Sequence, residues 1–241
     1  MKGRLALISS LVSWQLPENQ FTVEERVTLI VQQLLEDVAG EPFSEIMRDS
    51  VLEPWGMTAS TFESPLPEGL RSIAASGHRS DGATIPGGWH TYPEMGAGGS
   101  MWATPSDLAQ FAIKVMQAYG GQTDEVLSHA MAIEMLTPQI ENAGLGPGLE
   151  DDGGDRFYFM HWGGNDGYKS VLVAYPQRGQ GVVIMTNGDN GEALMREILN
   201  SVSIEYGWVR DYTYLYAGVT AAIVLALLGI LLPRKVRRRS M

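Results

Sequence analysis

The sequence predicts an α/β chain of the α+β kind, an antiparallel sheet flanked by helices, joined to one C-terminal transmembrane helix. Three observations predict it. Apolar runs at 157–160, 171–175 and 182–185, rich in aromatic and β-branched residues, are separated by a Gly-rich segment and by Pro176-Gln177-Arg178-Gly179, the pattern of consecutive antiparallel strands. Flanking segments carry apolar residues at helical spacing. Residues 212–232 are an uncharged stretch of 21 residues, long enough to span a bilayer as a helix.

Composition narrows the function classes. The chain has 241 residues, 44% of them hydrophobic and 19% charged, which is enough apolar material for a core. It contains no cysteine, so disulfides and thiolate metal sites are excluded. The net charge is −11, yet Arg234, Lys235, Arg237, Arg238 and Arg239 crowd the last eight residues. Without those five, 12 basic side chains face 28 acidic ones. So acidic a body argues against a nucleic-acid partner, because binding phosphates takes clustered Lys and Arg.

Residues 1–20 open with Lys2 and Arg4 and then an apolar run through Trp14, the order of a secretory leader. No small-x-small cleavage site follows, which favours a short helix or a start inside a longer reading frame. The domain proper is expected over 21–208. Thr22-Val23-Glu24-Glu25 forms a capping box, and Val27, Ile30, Val31, Leu34 and Leu35 give the helix its apolar face, with Gly40 closing it. Pro42 starts a second helix that ends before Pro54. Residues 58–98 read as an irregular excursion rich in Gly, Pro, Ser and Thr. His78 and His90 lie there without a partner at metal-ligand spacing, so neither metal nor cofactor is expected.

Thr104-Pro105-Ser106-Asp107 combines an N-cap, a proline at the first helical position and an acid in the first turn. Leu108, Phe111, Ala112, Val115 and Met116 then make an amphipathic helix that stops at Gly120-Gly121. Another helix is expected over 128–136, with Met131 and Met135 as core residues. Residues 141–155 read as a Gly-rich acidic loop, and a helix over 190–205 (Leu194, Ile198, Val202) is expected to pack back on the sheet. For the span at 212–232, Tyr212, Tyr214 and Tyr216 sit like an interfacial belt. The basic tail at 233–241 makes that end cytoplasmic and the domain extracytoplasmic, with the membrane as partner.

The most informative stretch is Phe157-Tyr158-Phe159-Met160-His161-Trp162-Gly163-Gly164-Asn165-Asp166-Gly167-Tyr168, followed by two strands and Thr186-Asn187-Gly188. It resembles the third motif region of the serine β-lactamase-related hydrolases, the family of class C β-lactamases, penicillin-binding proteins, D-aminopeptidases and related esterases. Three further segments match in the family's order. They are Glu36-Asp37-Val38-Ala39-Gly40-Glu41-Pro42-Phe43, Val51-Leu52-Glu53-Pro54-Trp55-Gly56-Met57, and Ala97-Gly98-Gly99-Ser100-Met101-Trp102-Ala103-Thr104-Pro105-Ser106-Asp107-Leu108.

The resemblance covers the C-terminal two-thirds of such a domain and implies a β-lactamase/transpeptidase-like fold, incomplete at its N-terminus. It implies acyl-enzyme chemistry on amide or ester bonds, with peptide, cell-wall-like or β-lactam-like substrates. It also implies catalytic-motif positions at His161 and Gly163 and substrate contacts at Gly164 and Asn165. The family's Ser-x-x-Lys nucleophile occurs nowhere in this sequence, and Val23-Glu24-Glu25 stands where Tyr-x-Asn would fall. Two readings follow: the C-terminal part of a membrane-anchored serine hydrolase, or a catalytically inactive membrane-tethered binding module.

Overall fold

A computed structural model of the chain describes residues 23–89 and 99–208. The chain divides into two compact units, residues 1–197 and 198–241. In the first, α1 (Val23–Ala39) ends as Gly40, at φ 72°, donates its N–H back to Glu36 O. Helix α2 (Phe43–Met47) continues through a wider turn at Arg48–Leu52, where Glu53 N donates to Arg48 O and Met57 N to Leu52 O, five residues back. A single turn, α3 (Glu68–Arg71), interrupts the excursion that follows. Helices α4 (Pro105–Tyr119) and α5 (His129–Met135) come before the sheet, and α6 (Gly191–Glu205) follows it.

The sheet has four antiparallel strands in sequence order: β1 (Gly148–Asp151), β2 (Phe157–Asn165), β3 (Tyr168–Tyr175) and β4 (Gln180–Thr186). Sequence reasoning placed a loop where β1 lies. The four residues form a strand because Leu149, otherwise an isolated apolar residue, is buried opposite Phe159, and the Asp-Gly-Gly-Asp turn at 152–155 folds the chain back. The later hairpins follow expectation. Gly179 turns β3 into β4 at φ 62°, and Arg178 beside it pairs with Asp155 at 2.9 Å.

The core lies between one sheet face and the helices. Phe159, Leu172 and Ala174 cluster with Ala112, Val115 and Met116 of α4, Met135 of α5 and Phe43, Ile46 and Met47 of α2. The predicted apolar face of α4 is the one buried. Its start is also as predicted, since Thr104 Oγ1 accepts from Asp107 N at 3.1 Å. Asp107 does more than cap. Its carboxylate is buried and accepts from Ala59 N at 2.9 Å and Ser60 Oγ at 2.8 Å, fastening the residues after α2 to the start of α4. In the part of α6 belonging to this unit, Met195 is the buried residue and Leu194 is exposed, which reverses the expected inward face.

The predicted architecture is corrected on its transmembrane helix. Among the described residues no helix is long and apolar enough to cross a membrane. The longest, α1, has 17 residues and includes Glu24, Glu25, Arg26, Glu36 and Asp37, charges that a bilayer interior would exclude. Residues 212–232, on which that expectation rested, lie outside the described residues, as do residues 1–20, Thr22 and His90.

Replacing Asp107 by Ala leaves Ala59 N and Ser60 Oγ without their acceptor and removes the first-turn acid. Urea unfolding of D107A should show a loss of about 1–3 kcal/mol. An unchanged midpoint would mean that the carboxylate contributes nothing to stability.

Candidate functional site

Strand β2 carries the site. The expected strand stops at His161; the observed one runs on through both glycines to Asn165. Pairing extends to the end because Asp166-Gly167 makes a tight turn, Gly167 adopting φ 76° and donating its N–H to Asp189 Oδ1 at 2.7 Å. A side chain at 167 would strike His78 N at 2.8 Å and Ile85 Cδ1 at 2.6 Å, so glycine is required there for space as well as for its dihedral.

The register places His161 opposite Leu172, Gly163 opposite Ser170 and Asn165 opposite Tyr168. Residues two apart on a strand share a face. His161, Gly163 and Asn165 therefore lie in one row with Phe159 on the core side, and Gly164 faces the other way, exposed. A Cβ on Gly163 would overlap the Ser170 hydroxyl oxygen, so this glycine answers first to its neighbour across the ladder. Asn165 Nδ2 donates to Gly99 O at 3.0 Å and ties the strand end to the segment before α4.

The edge of β2 changes character at the histidine. Strand β1 pairs with β2 only over Phe157 to Met160. Beyond Met160, from Trp162 to Asn165, no strand among the described residues pairs with that edge.

His161 also borders a small, partly open cavity of about 40 Å³ with Leu108, Phe111, Met135, Phe159 and Ser170. Burial among these groups pushes its pKa down to about 4, so the ring is neutral at pH 7. The cavity has room for water at most and cannot enclose a substrate. At the far end of the row stands an aromatic group that sequence reasoning did not assemble. Trp102 meets Tyr168 edge-on at 6.0 Å and Trp89 at 5.6 Å, and Tyr168 Oη donates to Ala75 O at 2.6 Å. Ser170 was also missed. The Asp-Gly turn signals both, since counting back from it pairs 163 with 170 and 165 with 168. His78 is a structural tether, its N–H donating to Asn187 O at 3.1 Å while its own carbonyl accepts from Asp189 N at 2.9 Å.

A family model described as Beta-lactamase matches residues 27–201. The chain belongs to the β-lactamase family, whose members are serine hydrolases. Solved structures agree on the fold. The penicillin-binding protein from Bacillus halodurans is 19% identical with a TM-score of 0.61, the match covering 78% of this chain and 57% of that one. The octameric penicillin-binding protein homologue from Pyrococcus abyssi is 19% identical at TM-score 0.57, covering 73% and 41%. A class C β-lactamase is 12% identical at TM-score 0.56, covering 77% and 63%. At such identities the likeness is one of fold, and the chain spans only about half the length of these structures. No curated protein matches the chain.

Two outcomes follow for this row. Because the folded pKa of His161 lies below the ordinary value of 6.5, the unfolded chain binds more protons between pH 6.5 and about 4. Stability should fall as pH drops through that window, by at most about 3 kcal/mol since part of the ring meets solvent. Urea melts of the parent and of His161→Gln at pH 7 and pH 4.5 read it as a difference that the variant lacks. Separately, Gly163→Ala should lose about 1–3 kcal/mol. Adding Ser170→Ala should restore most of it, because the Ser170 Cβ stands at a comfortable 3.8 Å.

Proposed function

We propose that this chain supplies the substrate-binding side of a β-lactamase-related serine hydrolase acting on amide or ester bonds, with peptide-like or β-lactam-like substrates. The observation that carries the reading is the edge of β2 from Trp162 to Asn165, which no strand among the described residues pairs once β1 has ended. An extended amide-bearing ligand adds to such an edge by main-chain hydrogen bonds. The exposed backbone at Gly164 is suited to donate an N–H to a developing oxyanion, since nothing of its own side chain shields it.

In acyl-enzyme chemistry a serine hydroxyl attacks the carbonyl and loses its proton to a base, the leaving group departs, and water then releases the acyl group. The sequence contains no Ser-x-x-Lys, so on this reading the attacking serine and its base come from polypeptide outside these 241 residues. His161, neutral near pH 7, can hydrogen-bond a ligand at this edge without adding a fixed charge. The aromatic group of Trp89, Trp102 and Tyr168 lies at the end of the same row and offers an apolar surface to a substrate side chain.

The test is to titrate the full chain with a fluorescent β-lactam, following anisotropy and intact mass together. Reversible binding without a mass increase is expected, weakened roughly fivefold or more by Gly164→Pro, which removes the N–H at the open edge. Absence of binding by the folded chain would overturn the reading. A covalent adduct mapped to one of its own serines would overturn the part that places the nucleophile elsewhere.

A further inference from the structure

We propose that Asp189, in the loop that leads from β4 into α6, is a positioning residue for the ligand-binding edge of β2. The inference deepens the reading of that edge given above and rests on it. Strand β1 braces β2 only as far as Met160, so among the described strands β3 alone holds the stretch from Trp162 to Asn165. That ladder ends on the pair Asn165–Tyr168, which leaves the turn residues Asp166 and Gly167 outside it. The N–H of Gly167 therefore takes its acceptor from another part of the chain. Asp189 supplies it, with Oδ1 2.7 Å from Gly167 N across 22 residues of sequence.

The carboxylate is itself fixed from behind. Asp189 N donates to His78 O at 2.9 Å, and His78 N donates to Asn187 O at 3.1 Å. His78 and Gly188 thus run side by side as a short parallel clamp, and Asn190 Nδ2 adds a bond to Ser80 O at 2.7 Å. The turn rests directly on that clamp, since a Cβ on Gly167 would meet His78 N at 2.8 Å. Bond and contact together fix where the β2–β3 turn sits. A carboxylate suits this task better than an amide, because a charge-assisted hydrogen bond is shorter and roughly twice as strong as a neutral one. What Asp189 holds is the backbone course of Gly163, Gly164 and Asn165, just before the turn. A ligand that bonds the Gly164 N–H depends on that course, and a misplacement of about 1 Å in a site can cost on the order of a hundredfold in rate.

The test uses the full chain, the same fluorescent β-lactam and amide hydrogen exchange. Asp189→Ala should weaken binding roughly fivefold or more. Asp189→Asn, which keeps an acceptor oxygen in the same place, should recover most of the loss. Without ligand, the amides of Gly163 and Asn165 should exchange at least roughly fivefold faster in Asp189→Ala than in the parent, while those of Tyr158 to Met160 keep their rates. A role in stability alone would not give that local pattern, because global destabilisation speeds exchange along the whole strand. Where Asp189→Ala folds poorly, Asp189→Glu serves instead; it keeps the charge but displaces it by one methylene, and should weaken binding in the same direction. Unchanged affinity and exchange in a folded Asp189→Ala chain would overturn the inference and leave the reading of the edge standing. So would exchange raised evenly along β2. Failure of the parent itself to bind the probe would overturn that reading, and the positioning role with it.

Discussion

The register of the β2–β3 hairpin is the constraint from which the rest of this structure follows. It is set at Gly167, whose positive φ, bond to Asp189 and close approach to His78 and Ile85 admit no side chain. Sliding β2 by one residue against β3 would turn Phe159 away from the helices while Leu172 and Ala174 stay, and break the core face. It would also turn His161 out of its cavity and separate Gly163 from Ser170. Core and site thus share one geometric origin, a single tight turn.

Around that turn the irregular segments are held by polar tethers in addition to the burial of Phe62, Leu66 and Ile85. Tyr168 reaches Ala75, Asn187 Nδ2 donates to Ser76 O at 3.0 Å, and Asn190 Nδ2 donates to Ser80 O at 2.7 Å. Each takes a backbone carbonyl of the 75–80 segment that would otherwise depend on water. Asp107 does the same for the turn before Thr61 from the opposite direction. Loops rich in Gly, Ser and Thr have little apolar surface to bury, so directional bonds to the strands and helix starts are what give them a fixed course.

Much of this was legible in the sequence. Continuous apolar runs and glycine turns gave β2, β3 and β4; the Thr104-Pro105 start and the spacing from Leu108 to Met116 gave α4 and its buried face. The motif resemblance led to the family, which the match over 27–201 bears out. What escaped depends on distance in the chain. Strand β1 exists only because Phe159, ten residues on, covers Leu149. The buried role of Asp107 needs Ala59 and Ser60, which stand 48 and 47 residues away, and no local pattern announces that. Leu194 and Met195 are adjacent in a helix whose apolar residues are spread around it, so periodicity alone chose the wrong one. A membrane-spanning helix was read at 212–232 from length, hydropathy, the tyrosines at its entry and the basic tail, and no described helix has that character.

The chemistry of His161 belongs to the same account as the packing. Its pKa is depressed by desolvation, and the groups beside it in the cavity are Phe159, Leu108, Phe111 and Met135, residues of the core or packed against it. The charge state of the site is therefore set by how tightly α4 and α5 close over the sheet. Along β2 the environment grades from the fully buried Phe159, through the half-buried ring of His161, to the exposed Gly164, over six residues of one strand. Where β1 ends, no described strand continues along that edge, while the adjacent side chain is still held neutral by the core. An open edge bordered by a desolvated, uncharged imidazole favours ligands that bring amide groups to the strand over those that would need a cation at position 161.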